Sequence, residues 1–403
     1  MSSFLVAART YVVKPASGHY SFLQRRVKQA RFAEWSSSCF RGRMAGRGLL
    51  TEAVGLVAVK GCIGRMELSA RRAGAQDAGV VIPVYLPEGR DRSRATALLD
   101  ETTSAYCAQA GDPALVCLSV DGARFGAEAA GEITRIYGAS IVVAETNRGK
   151  LAAARSGVRQ LLAEQAPPYI AIVDQDGDHF ANELANLLRV ALDIEERLAG
   201  RGVMVLGQRA TRHRPLGFLR GELEGLADRV LLDALAYRAA VIGRPLGLEY
   251  ALAHGDCPDF HSGYKLFDRE TAEAVFLGEP NQAGTPDSCY YRHACEAVMT
   301  VEALENGAYL GVAHRSTMNG QPVSAFGQYD TRELTADMIA WPCKRLGVPL
   351  AFVEQWLANH AQQLLLHTLS PQGEQELEAV RRLVVQAYDS GGGPEPFLRP
   401  VFV

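Results

Sequence analysis

Five short apolar runs alternate with helix-length stretches between Gly79 and Arg209, and this alternation restricts the fold more than any other feature. VVIPVYL (Val80 to Leu86), ALVCLSVDG (Ala114 to Gly122), SIVVAE (Ser140 to Glu145), YIAIVDQD (Tyr169 to Asp176) and GVMVLGQR (Gly202 to Arg209) read as strands. Helical stretches run between them: Ser93 to Gln109, Ala127 to Tyr137, Leu151 to Gln165 and Asn182 to Leu198. Strands that are apolar throughout, with no polar alternation, are buried on both faces. The pattern therefore predicts an α/β fold, a Rossmann-like and mostly parallel sheet with helices on both faces. Such sheets bind ligands beyond the carboxyl ends of their strands. Asp121 and Asp174 fall at two of those ends.

The flanks differ from this central part. Through Ala78 the chain carries 13 Lys and Arg against four acids, whereas the whole chain has a net charge of −3. Residues 1–78 are Arg-, Ser- and Gly-rich and lack sustained periodicity, so a poorly ordered basic extension is expected. An organelle transit peptide, an upstream extension with Met44 or Met66 as the true start, and a patch for an anionic membrane surface are three readings of it. The central domain is expected over 79–329 and a helical region over 330–403, with GEQELEAVRRLVVQAYD as an amphipathic helix near the end. No uncharged apolar run approaches the roughly 18 residues of a membrane span. The eight cysteines include no CxxC pair, which fits reduced thiols in the cytoplasm better than a disulfide framework or zinc site.

The feature with chemical content is YIAIVDQDGDHFANEL, Tyr169 to Leu184, where an apolar strand ends in Asp174, Asp176 and Asp178. Alternate residues of an extended segment point to one side. Like charges so close raise one another's pKa unless a cation is present, and hard cations such as Mg²⁺ take oxygen ligands shared with substrate phosphates. A solvated acidic turn before the next helix is the plain alternative. An EF-hand loop fails, because its sixth and twelfth positions would be His179 and Ala185 in place of Gly and Glu. A phosphatase of the haloacid-dehalogenase type also places D-x-D-G after an apolar strand, with the first Asp as nucleophile. It needs a second acidic pair, for which Gly255 to Asp259 is a near match.

Together the segments resemble family-2 glycosyltransferases of the GT-A fold, nearest to the polyprenyl- and dolichyl-phosphate mannosyl- and glucosyltransferases. VVIPVYLPEG is similar to that family's VxIPxYNE. The resemblance places Pro83 and Tyr85 at a nucleobase pocket, with Leu86 and Pro87 departing from the pattern and Glu88 as a shifted substitute. SVDGA resembles VDDGS and puts Asp121 on the base, with Val120 replacing the first Asp. NRGKLAAARSG is similar to NxGKGxAxxxG and sets Asn147, Arg148 and Lys150 at a helix start, where N–H groups and cations favour phosphate. IVDQDGDHFANEL matches VxDADxQHxPExL. The likeness makes Asp174 and Asp176 the DxD holding Mg²⁺ or Mn²⁺ on the donor diphosphate, Gln175 a neighbour in that site and Asp178 a third ligand. MVLGQRATRHRP resembles VVGSRF, with Arg209, and beyond it Arg212, Arg214 or Arg220, on the diphosphate side. DFHSGYKLFDRE is similar to D-x-x-S/C-G-F-K/R-L-F-x-R, which implies Asp259 as the acceptor-side carboxylate, the first candidate for general base, and Lys265 as a phosphate ligand. Glu296 corresponds to a further acid on a following helix.

The function implied is a metal-dependent hexosyltransferase that moves a sugar from a UDP- or GDP-linked donor to a hydroxyl or phosphate. A soluble small molecule or glycan and a polyprenyl phosphate both remain open as acceptors. No nucleic-acid partner is expected. The charged C-terminal helices are expected to pack on the catalytic domain or to form a homodimer, in the cytoplasm or peripherally at a membrane. The substitutions at Leu86, Pro87 and Val120 keep open a nucleotide-sugar-binding chain that has lost catalysis.

Overall fold

The computed structural model describes residues 78–87, 92–198, 200–253, 255, 257–317 and 330–388. The basic extension and Glu88 lie outside the described residues. The strands are β1 (Ala78–Val84), β2 (Val116–Val120), β3 (Ser140–Val143), β4 (Tyr169–Ile172), β5 (Val203–Arg209), β6 (Lys265–Asp268) and β7 (Tyr309–Arg315). The longer helices are α1 (Arg92–Ala110), α2 (Ala127–Tyr137), α3 (Lys150–Glu164), α4 (Leu184–Leu198), α5 (Phe218–Ile242), α6 (Arg269–Leu277), α7 (Cys295–Glu305), α8 (Thr331–Arg345), α9 (Leu350–Ala361) and α10 (Gly373–Ala387).

All described strands form one sheet in the order β3-β2-β1-β4-β6-β5-β7, parallel except for β6, which runs antiparallel to both neighbours. Alternate strand residues feed two cores, one on each face. Val81, Ile170, Ile172, Met204 and Leu206 join the core built with α3, α5, α6 and α7. Val80, Ile82, Ala171, Val203 and Val205 join the core built with α1, α2 and α4. This two-sided burial is why the strands read as unbroken apolar runs, and the α/β expectation holds. Helix α3 approaches the sheet closely because Gly157 has no side chain: a Cβ there would lie 2.5 Å from Val81 Cγ1.

The C-terminal helices share the first core. Leu334, Met338, Trp341, Val353, Leu357, Val380 and Val384 are buried with residues of α5, so the apolar faces of these helices are covered within the chain. The tail therefore packs on the central α/β layers, one of the two arrangements expected of it. No helix among the described residues is long and apolar enough to cross a membrane.

The reversed strand decides where the site forms. Lys265, the first residue of β6, pairs with Ile172 of β4 and Leu206 of β5. The segment entering β6 is thereby delivered to the carboxyl ends of both neighbours, where Asp174 and Arg209 emerge.

Candidate functional site

The N-terminus of α3 is tied to the end of β2. Asp121 Oδ1 accepts from Arg148 N–H and Oδ2 from Gly149 N–H, each at 2.8 Å, and Asn147 Nδ2 donates to Asp121 O at 3.2 Å. The carboxylate thus takes up N–H groups that a helix start leaves open. Burial raises the Asp121 pKa against these hydrogen bonds. Gly149 has φ 124°, and a Cβ there would run into Tyr291 O and Arg292 Cγ. Arg292 Nη2 closes the loop by donating to Asn147 O at 3.0 Å and to Asn147 Oδ1.

At the end of β4 the four polar residues do different things. Gln175 clips the chain after β1: its Nε2 donates to Tyr85 O at 2.7 Å and its Oε1 accepts from Tyr85 N–H at 3.0 Å. The half-buried Tyr85 ring rests 5.0 Å from Phe125, while Pro83 is buried within β1. Asp174 Oδ1 lies 2.5 Å from Lys150 Nζ, which also reaches Glu296 Oε1 at 2.8 Å. Burial works to raise the Asp174 pKa, but the Lys150 ammonium holds it below the usual carboxylate range. Burial likewise opposes charge on Lys150, and Asp174 and Glu296 outweigh it. Asp176 is partly exposed and is pushed up to about 7, by burial first and by the Asp174 charge next. In place of a free third carboxylate, Asp178 is 3 % exposed and ion-paired to Arg315, with Oδ2 to Nη1 3.0 Å.

His179 orders this turn. Its Nδ1 accepts from Asp174 N–H at 2.9 Å, so the proton of the neutral ring sits on Nε2, 3.7 Å from Asp174 Oδ2. Burial presses its pKa well below the ordinary imidazole value, and the ring stacks on Tyr264 at 4.8 Å.

The segment entering β6 adds a buried ionic network. Asp259 accepts from Arg209 N–H (3.1 Å), Nε (2.7 Å) and Nη2 (2.6 Å), and from Arg212 Nε (3.3 Å). Arg209 Nη2 also donates to Glu224 Oε2 at 2.8 Å. Burial alone would raise the Asp259 pKa, yet Arg209 drives it far below the usual range. A role as general base therefore requires Asp259 to release Arg209, and a role on a diphosphate requires the converse. Lys265 is wholly buried, with Nζ donating to Phe260 O at 2.8 Å and Ser262 O at 2.6 Å. Burial lowers its pKa to about 8. In this conformation Lys265 staples a turn, and contact with a phosphate requires it to leave both carbonyls.

These elements surround a cavity of about 30 Å³ lined by Asp174, His179, Arg220, His261, Gly263, Glu296 and neighbours that include Met338 of α8. That holds a water or two, whereas small-molecule sites enclose roughly 300 Å³ or more, so the lining must part to admit a nucleotide sugar. The haloacid-dehalogenase alternative needed its second acidic pair near Asp259. Asp259 is locked to Arg209 and Asp256 lies outside the described residues.

A divalent cation suits part of the predicted ligand set. Asp174 and Asp176 offer hard oxygen donors, and Asp176, pushed up to about 7 by burial first and the Asp174 charge next, makes no ion pair among the described residues. Mg²⁺ needs only one or two carboxylates when substrate phosphates complete its shell. Among the described residues no three His, Cys, Asp or Glu converge as an all-protein metal cage.

Glu296, an expected acid on a following helix, joins the cluster through Lys150. Residues not anticipated are His179 as an organiser of the turn, His261, Arg292, Arg315 and the buried acids Glu224 and Asp228 of α5. No sequence signal marked the last two: FLRGELEGLADRVLL carries five charges in fifteen residues, whereas the structure buries residues 221–228 without a break.

No protein-family model matches the chain, and no curated protein does. Among solved structures, S. aureus TarS 1–349 is similar at 12% identity and a TM-score of 0.34, covering 78% of this chain and 92% of that one. A CMP:2-keto-3-deoxy-manno-octonic acid synthetase complexed with CTP is similar at 9% identity and a TM-score of 0.35, covering 60% of this chain and 93% of that one. Scores at this level carry no argument about activity, and the reading below stands on the site.

Proposed function

We propose that the chain is a metal-dependent glycosyltransferase that takes a UDP- or GDP-linked sugar and passes it to a hydroxyl or phosphate. The observation that carries this reading is the meeting of Asp174, Lys150 and Glu296 at the carboxyl end of β4, in the same turn as Asp176. Asp174 and Asp176 would hold Mg²⁺ or Mn²⁺, which supplies Lewis-acid neutralisation of a leaving diphosphate. The chain's own residues would do the rest. Tyr85, backed by Phe125 and fixed by Gln175, offers a face for a base. At the start of α3, Arg148 and, on letting go of Asp174 or Glu296, Lys150 would reach a phosphate. Asp121 keeps that helix start in register with the strand ends. Both acceptor classes, a soluble hydroxyl compound and a polyprenyl phosphate, remain within this reading. The described cysteines are all free, in keeping with a reducing compartment such as the cytoplasm.

One observation favours a second reading, nucleotide-sugar binding without turnover: Arg209 and Asp259, both expected to act on substrate, neutralise one another. A single series of measurements addresses both. Thermal stability is followed against UDP-glucose, UDP-N-acetylglucosamine and GDP-mannose, with and without Mn²⁺, alongside release of free nucleotide. A ligand at 100 times its Kd adds about 2.7 kcal/mol. A shift that needs Mn²⁺, and that Asp176→Asn removes, supports the donor site. Nucleotide release then separates a transferase from a binding protein. The absence of a shift with every nucleotide would overturn both.

A further inference from the structure

Asp259 accepts three hydrogen bonds from Arg209 and cannot take a proton while it does so. Two residues further on, the same segment carries His261. Its Nδ1 lies 2.8 Å from Asp228 Oδ1, and its backbone N–H donates to the same oxygen at 3.3 Å. Asp228 is fully buried in α5, and its other oxygen is 2.7 Å from Arg212 Nη2. A carboxylate only accepts hydrogen bonds, so the Nδ1 of His261 carries the proton and the ring orientation is set. The opposite nitrogen, Nε2, is buried and has no hydrogen-bond partner among the described residues. The ring is 2 % exposed and lines the same cavity as Asp174, Gly263 and Glu296.

Buried ring nitrogens are nearly always partnered, so Nε2 is left for a group that enters the cavity. We propose that His261, oriented by Asp228, is the catalytic residue that takes the acceptor's proton in place of Asp259. This role rests on the transferase reading above. In the step, the acceptor O–H breaks and its proton passes to Nε2. The oxygen electron pair forms the bond to the anomeric carbon. The bond from that carbon to the diphosphate oxygen breaks, and its electron pair leaves with the nucleoside diphosphate. Asp228 stabilises the imidazolium so formed and holds the tautomer that makes Nε2 the acceptor. The role also fits a hydroxyl acceptor better than a phosphate, which already offers an ionised oxygen.

The test uses the full chain with Mn²⁺ and water as acceptor, following nucleotide release from UDP-glucose, UDP-N-acetylglucosamine and GDP-mannose. His261→Ala and His261→Gln should lower kcat by roughly 10²–10⁴-fold, the usual range for losing a general base. KM for the donor and the Mn²⁺-dependent thermal shift should stay within about threefold of wild type, and added imidazole should restore part of the His261→Ala rate. A measurement on the wild type needs no variant to fold. Nitrogen-15 NMR at pH 8 should show the His261 ring protonated at Nδ1 and bare at Nε2. Both variants releasing nucleotide at the wild-type rate, or a ring protonated at Nε2, would overturn the role while leaving the donor site standing. Absence of any Mn²⁺-dependent nucleotide shift in the wild type would overturn the donor site itself. If the wild type binds donor but releases no nucleotide, the ring tautomer decides.

Discussion

Lys150 and Asp174 make their 2.5 Å contact directly against the backbone of Gly263. A Cβ built there would stand 2.5 Å from Asp174 Oδ2 and 2.9 Å from Lys150 Nζ. Three segments remote in sequence thus meet at one point, and the smallest side chain makes the meeting possible. Gly263 owes its place to the ion pair above it.

Gly263→Ala should therefore abolish the Mn²⁺-dependent nucleotide shift, with affinity down by at least about tenfold, or roughly 1.4 kcal/mol. Circular dichroism should stay native, since the clash falls on side chains of the site and not on the sheet. Unaltered nucleotide affinity would mean that the Lys150–Asp174 pair is not part of the donor site.

Asp176 and Asp178 should separate in behaviour although they are two residues apart. Asp176→Asn should lose Mn²⁺ dependence with little change in stability. Asp178→Asn should retain Mn²⁺ dependence but unfold more readily, because it strands the buried guanidinium of Arg315. Losing one partner of a buried pair costs about 3–5 kcal/mol. Urea titrations with and without Mn²⁺ read both quantities. Loss of metal dependence in Asp178→Asn would restore it as a third ligand.

Asp259→Asn should destabilise the fold by about 3–5 kcal/mol near neutral pH, for the same reason at Arg209. The pKa of Asp259 is depressed in the folded state. Its contribution is thus fully present above the ordinary carboxylate value of about 3.9 and fades as pH falls below that. The stability gap between wild type and variant should narrow on acidification below about pH 4. A gap that stays constant with pH would contradict the assigned ion pair.

Lys265 predicts the opposite end of the pH scale. Its folded pKa of about 8 lies below the ordinary lysine value of 10.5. Between those values the unfolded chain binds a proton that the folded chain does not, so stability rises with pH. Across this window wild type should gain up to about 3 kcal/mol relative to Lys265→Met, at 1.36 kcal/mol per pKa unit. Below pH 8 the difference should level off. Urea midpoints from pH 7 to 11 give the curve, and a flat difference would place the Lys265 ammonium elsewhere.

Much of the architecture is legible in the chain because it depends on local pattern. Unbroken apolar runs specify strands buried on both faces, helical periodicity fills the gaps, and strand-end carboxylates mark the rim where a ligand belongs. The helix 127–137 and the N-terminal turn at Lys150 were readable for that reason. Residues of one motif also stayed together: Asp174, Gln175 and Asp176 do share a turn.

What only the tertiary structure decided is which charges face one another. Arg209 and Asp259 lie 50 residues apart and read separately as substrate contacts, but the reversed strand β6 puts them side by side and they saturate each other. The segment entering β6 leaves Lys265 as a staple and His261 with one nitrogen on Asp228 and the other without a partner among the described residues, while Arg315 at the end of β7 takes Asp178. Sequence spacing records neighbours along a strand or helix. Ion pairs between strands are set by strand order and direction, which depend on how the whole chain buries its apolar surface.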